Sequence, residues 1–166
     1  MLRVTTILPA NDDFGVPFDT VVLEHDERRV RRKLLRSGKG TEITLDLAQT
    51  VTLEPGQGLQ LDDGRILEVV AADELLYEIR ARDAGHLLRL AWHIGNRHLA
   101  AQIEPERILI QRDHVIRDML LGLGATVTEV IERFQPVHGA YHHHQEHDHG
   151  HAHGHDHEHD HHHDHG

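Results

Sequence analysis

The last 27 residues of this chain cannot build a hydrophobic core. From Ala140 the sequence reads AYHHHQEHDHGHAHGHDHEHDHHHDHG, with Ala140, Tyr141 and Ala152 as its only apolar residues and no Lys or Arg. Such a segment buries too little apolar surface to offset the entropy lost on ordering it. The expectation is a disordered tail over residues 136–166, starting near Gln135-Pro136. The body, residues 1 to about 135, must then fold alone. Fifteen of the 20 His lie between His138 and His165, and the tail's six acidic residues supply −6 of the formal net charge of −11.

The body changes period once. Up to about Ala72 the apolar residues recur at short, strand-like spacing: Val21–Leu23, Thr41–Leu47, Leu59–Leu61 and Ile66–Val70. Turn signals separate them at Ser37-Gly38-Lys39-Gly40, Glu54-Pro55-Gly56-Gln57-Gly58 and Asp62-Asp63-Gly64. Residues 1–72 therefore read as an all-β domain of five or six short strands. From Asp73 the pattern mixes. Leu75–Arg80 reads as a strand, and Leu87, Leu90, Ala91 and Ile94 fall at helical spacing over Ala84 to about Asn96, with Gly95-Asn96 as a stop. Ala100–Ile103 and Arg107–Ile110 read as strands around Glu104-Pro105-Glu106. Asp113 can cap a second helix bearing Val115, Ile116, Met119, Leu120 and Leu123, which Gly122 and Gly124 end; Thr126–Phe134 reads as a last strand. The order β-α-β-β-α-β over residues 73–135 predicts a ferredoxin-like domain. The fold class is thus α+β: an all-β domain, a ferredoxin-like domain and the tail.

Composition excludes several functions. Without Cys there is no disulfide framework, thiolate zinc site, iron–sulfur cluster or Cys nucleophile. No apolar run approaches the roughly 18 residues of a membrane span, and Met1–Thr5 lacks a secretory h-region. The expectation is a cytoplasmic protein with no membrane partner. Net acidity argues against nucleic acid, which needs a basic face. Ser37–Thr41 lacks the ending and spacing of a phosphate loop, so no enzyme signature stands out. The one electropositive run, Arg28–Arg36, reads either as an exposed charged strand or as a docking surface for an acidic partner.

The tail carries the clearest chemistry. Neutral imidazole binds nickel, zinc, copper or cobalt, and a free imidazole, titrating near about pH 6.5, is largely neutral at pH 7. His138, His142, His143, His144, His147, His149, His151, His153, His155, His157, His159, His161, His162, His163 and His165 are the candidate ligands. Interleaved Asp and Glu add oxygen ligands and distinguish the segment from a plain purification tag. The formal H-E-x-x-H match at His157–His161 has no apolar stripe to hold it on a packed helix, so it is a product of composition. In the body, His25 reads as a solvated turn residue and His86 as exposed at a helix start. His93 precedes the helix end. His98 continues the direction of the apolar stripe, and His114 opens the second helix. A lone His is more often structural than a ligand.

Two blocks narrow this reading. Trp92-His93-Ile94-Gly95-Asn96-Arg97-His98, continuing through Gln102-Ile103-Glu104, and Asp113–Leu120 with Gly122-Leu123-Gly124, resemble the urease accessory protein E family, the nickel metallochaperones of urease assembly. Arg28-Arg29, Gly40-Thr41-Glu42 and Asp63-Gly64 extend the resemblance through the β half. It implies a peptide-binding type β domain, then a ferredoxin-like metal-binding domain through which two chains form a homodimer. It implies that His98 meets its counterpart across the dimer axis, with tail residues completing the shell, and that His114 binds metal peripherally. Some members carry a further His where this chain has Arg112, so a paired site at 112 and 114 is not implied. The implied cargo is nickel, with zinc or copper possible in vitro. The implied partners are the urease accessory GTPase and the urease pre-activation complex. The alternatives are nickel or zinc storage through the tail alone, and a metal-responsive regulator.

Overall fold

A computed structural model describes residues 1–138, so the expectation of a disordered tail and the candidate ligands from His142 to His165 lie outside the described residues. Two sheets account for the body. Six strands form the first: β1 (Leu2–Leu8), β2 (Asp19–Leu23), β3 (Arg29–Arg36), β4 (Glu42–Thr52), β5 (Gly58–Leu61) and β6 (Ile66–Ala71). Their order is β2-β6-β5-β1-β4-β3, which leaves β3 at an edge. Ile43 and Leu45 of β4, Leu59 and Leu61 of β5, and Leu67 and Val69 of β6 point inward and are buried together. The strand-like spacing of Ile43 and Leu45 within Thr41–Leu47 supplies part of this inward row.

The second unit runs β7 (Asp73–Arg80), α1 (Ala84–Asn96), β8 (Ala101–Ile103), β9 (Ile108–Gln111), α2 (His114–Gly122) and β10 (Thr126–Arg133). Its sheet order, β10-β7-β9-β8 with every pair antiparallel, is the ferredoxin-like arrangement expected from the chain order. Both helices cover one face of this sheet. Leu87, Leu90 and Ile94 of α1 and Ile116 and Leu120 of α2 bury against Tyr77, Ile79, Ile108 and Ile110.

The opposite face is covered differently. Phe134, fully buried, packs against Leu76 and Leu109 as the chain leaves β10. The segment then reaches the far edge of the sheet, where Gln135 N–H donates to Gln102 Oε1 (2.9 Å) and Val137 N–H donates to the Ala101 carbonyl (2.8 Å). The chain therefore stays docked through His138, beyond the Gln135-Pro136 boundary expected from composition. Backbone hydrogen bonding and one aromatic anchor hold a stretch that periodicity does not mark.

The same crossing joins the two units. Arg28, buried, donates from Nη1 to the Leu23 carbonyl (3.0 Å) and from Nη2 to the Phe134 carbonyl (2.7 Å). His25 Nδ1 lies 2.9 Å from Glu74 Oε1, its backbone N–H donates to Glu74 Oε2, and its ring edge meets Phe134 at 5.0 Å. His25 is not the solvated turn residue expected from its polar neighbours. Its partners are 49 and 109 residues away in sequence, so no local pattern announces them. Among the described residues no helix is long and apolar enough to cross a membrane.

Candidate metal centre

The body histidines separate by whether their ring nitrogens are already used. His86 is buried at the first turn of α1, where Asp83 caps the helix by accepting its N–H at 2.7 Å. Its Nδ1 accepts from Arg82 N–H (3.1 Å), so Nε2 carries the proton and donates to the Leu123 carbonyl (2.8 Å). The expected exposure of His86 is wrong: its imidazole ties the start of α1 to the end of α2 and has no nitrogen left for a metal. His25 is likewise committed to Glu74, whose side chain is only 4% exposed. His93 is half-buried and stacks edge-on with Trp92, ring centroids 5.1 Å apart.

His98 is held in another way. It does not continue the apolar stripe of α1, because the helix ends at Asn96 and Arg97 caps it. The helix stops at Gly95-Asn96, as expected. The chain turns instead at His98, which has φ +56° and is the one non-glycine residue with positive φ among the described residues. Its N–H donates to the Gly95 carbonyl (3.0 Å), and its imidazole is exposed. The second helix makes the same kind of turn with Gly124 at φ +85°, whose N–H donates to Leu121. Glycine adopts this left-handed geometry freely, whereas an L side chain costs about 1–2 kcal/mol. The helix-ending geometry alone therefore favours Gly at position 98, and the His there carries strain that the rest of the turn does not require.

Electrostatics rank the two remaining candidates. His98 lies just past the C-terminus of α1, where the last carbonyls favour a cation; His114 is the first residue of α2, where the N-terminus opposes one. Asp113, the α2 cap, has its carboxylate turned to Val115 and Ile116 N–H. The two histidines nevertheless share one end of the sheet. A shallow pocket of about 160 Å³ is lined by Leu99 and Ala100 on one side and Gln111, Arg112 and Asp113 on the other. Arg112 is turned away into the carbonyls of Leu76 and Val130. His138 Nε2 lies 3.4 Å from Glu54 Oε1.

Among the described residues no three His, Asp or Glu side chains gather closely enough to hold a metal ion. A centre at His98 would need ligands from a second chain or from residues beyond 138. The outer face of α1 beside it is apolar: Leu88 and Trp92, one turn apart, are 73% and 65% exposed. The residue pattern singles out His98 as a candidate but carries no sign of its positive φ. Nor does it mark the Val137–Ala101 bond, for which no residue-level signal exists.

Comparison with known proteins fits this two-part body. The N-terminal domain described as UreE urease accessory protein matches residues 4–72, and the C-terminal domain of the same description matches residues 74–165. The urease accessory protein UreE of Rhizobium rhizogenes is 58% identical over 144 residues, covering 87% of this chain and 86% of that protein. The Agrobacterium fabrum protein of the same name is 56% identical, covering 87% and 89%. Urease accessory protein UreE 1 of Brucella suis is 56% identical over 142 residues, covering 85% and 88%. With both domains matched in order and relatives above half identity along most of their length, the chain belongs to the UreE urease accessory protein family and so to the machinery of urease maturation.

Proposed function

We propose that this protein is a nickel metallochaperone that donates nickel to apo-urease during assembly of the urease metallocentre, and that it is not an enzyme. The observation that carries the reading is the 2.8 Å bond from Val137 N–H to the Ala101 carbonyl. It ties the root of the His-rich segment three residues from His98, at most about 11 Å of extended chain. Ligands from residues 139–166, His142 to His165, can then reach an imidazole that is exposed, strained and placed at a favourable helix end. Nickel taken by those side chains passes to His98, with His114 and His138 as peripheral ligands, and leaves to an acceptor that binds it more tightly. Imidazole and carboxylate also accept zinc or copper.

Two copies complete the centre. Residues 73–135 form the metal-binding and dimerising part, residues 1–72 the β domain and residues 136–166 the feeder. The exposed Leu88 and Trp92 face supports a homodimer in which two His98 side chains meet, which explains how one body His per chain suffices. The urease accessory GTPase and the urease pre-activation complex are the partners, in the cytoplasm. Nickel calorimetry tests the reading on the full chain, on a chain ending at His138, which keeps every buried cluster, and on each with His98→Ala. One tight ion per two chains, kept on truncation and lost with His98→Ala, is the expected result. Loss of all tight binding on truncation, with no effect of His98→Ala in the full chain, would overturn the His98 assignment and favour storage.

A further inference from the structure

Strand β3 is the least explained surface of the β domain. It is an edge strand whose ladder partner is β4, and its other side faces outward. It carries Arg29, Arg31, Arg32, Lys33 and Arg36 within eight residues. A register shift between Val30 and Arg32, at which β4 carries the extra residues, interrupts the ladder, and Arg29, Arg31 and Arg32 are all exposed there. Arg32 is paired with Asp46, and Lys33 Nζ reaches the Glu27 carbonyl. Arg29, Arg31 and Arg36 make no ion pair among the described residues. Leu34, between them, is 56% exposed.

The chain itself supplies the complement. Beyond His138 lie 28 residues with Glu146, Asp148, Asp156, Glu158, Asp160 and Asp164 and no Lys or Arg. The described chain ends at the foot of β3: His138 lies by Glu54, Leu53 N–H donates to the Arg28 carbonyl, and Arg29 pairs in register with Thr52. His25, Arg28, Thr52, Glu54, Pro136 and His138 line one small pocket there. An eight-residue strand spans about 27 Å, and 28 residues of chain reach its far end with length to spare.

We propose that residues 139–166 dock through their carboxylates on the free edge of β3 in the same chain, with Arg29, Arg31 and Arg36 as the receiving cations. Each exposed pair is weak and screened by salt. Tethering at the foot of the strand raises the effective concentration to the millimolar range, where several weak pairs suffice. The body excluding these residues is itself acidic, at −5 from −11 minus −6, so the arginine strand is selected by charge. Docking also covers an edge that would otherwise be open to strand pairing.

The absence of Cys makes the test direct. A nitroxide on Ala152→Cys of the full chain is used with amide relaxation measurements at low salt. Amides of Arg29–Arg36 should broaden at least threefold more than those of β10. The excess should vanish in 0.5 M salt and in the full chain carrying Arg29→Glu, Arg31→Glu and Arg36→Glu. Salt dependence in the unmutated sequence keeps the test valid if that variant folds poorly. Uniform broadening, or broadening centred on another strand, overturns the proposal. So does broadening of β3 that arises only in mixtures of isotope-labelled and spin-labelled chains, because the occupant is then the tail of a second copy.

Discussion

Arg28 Nη2 lies 2.7 Å from the Phe134 carbonyl, 106 residues away, and its Nη1 holds the Leu23 carbonyl at the end of β2. One buried guanidinium thus satisfies acceptors from both units. Burial lowers its pKa, and the nearby Glu74, Glu54 and Asp26 carboxylates oppose that. Arg28→Ala takes the donor from the Phe134 carbonyl, leaves the Leu23 carbonyl with Ala72 N–H alone, and removes a countercharge from buried Glu74. The expected cost is about 2–4 kcal/mol, read as a shift in the urea midpoint. Cleavage by protease near residues 134–138 should also become faster. An unchanged midpoint would show that water replaces the guanidinium at no cost.

Position 98 should trade stability for binding. His98→Gly releases the left-handed strain and is expected to stabilise the fold by about 1 kcal/mol while abolishing the tight nickel site. His98→Ala keeps the strain, loses the site and gains no stability. Thermal melts and nickel titrations of the two variants side by side decide this. Equal melting temperatures for Gly and Ala would remove the strain argument.

His86 should show the reverse. Its ring bridges Arg82 and Leu123 inside the protein, so His86→Ala is expected to lose about 2–3 kcal/mol with nickel stoichiometry unchanged. Loss of one ion per dimer in a folded His86→Ala protein would contradict its structural role.

Arg107 sets the acid limit of the second unit. Its guanidinium holds Glu132 Oε2 at 2.8 Å, Glu78 Oε2 at 2.9 Å and Glu104 Oε2 at 2.9 Å. Hydrogen bonds to Arg107 hold the Glu132 carboxyl below its ordinary value of 4.5; those to Arg80 first, then Arg107, do the same for Glu78. Groups depressed on folding contribute stability above the unfolded value and lose it as pH falls through the folded one. Stability should therefore decline below about pH 4.5. Arg107→Ala should move the acid-unfolding midpoint upward and cost about 1–2 kcal/mol at pH 7. A midpoint that stays put would show that these ion pairs do not couple to folding.

The helices and the ferredoxin-like order were legible because their signals are local. Leu87, Leu90 and Ile94 mark one face of α1, and Asp113 marks the start of α2 at the residue before its first turn. The basic run at Arg28–Arg36 is readable as a charged strand, and β3 occupies it, although Arg28 itself turns inward. What was not legible depends on distant partners. The burial of His25 comes from Glu74 and Phe134, and that of His86 from Leu123. The first strand, β1, has a bulge between Val4 and Thr6 and pairs with both β4 and β5, so its place is set by its neighbours more than by its own alternation. For the candidate centre, residue type and motif pointed to His98, but its turn geometry overrides the helical stripe that the same residues suggest.

The crossing from Phe134 to His138 also has a mechanical meaning. β10 pairs with β7 over eight residues, from Thr126 opposite Arg80 to Arg133 opposite Asp73. A pull applied beyond His138 does not meet that ladder first. It must lift Val137 from Ala101, draw Phe134 from its socket and break the Arg28 clasp before any strand is loaded. Tension on the C-terminal segment, such as that exerted by an acceptor gripping it, is therefore absorbed at the joint between the two units while the sheets keep their shape.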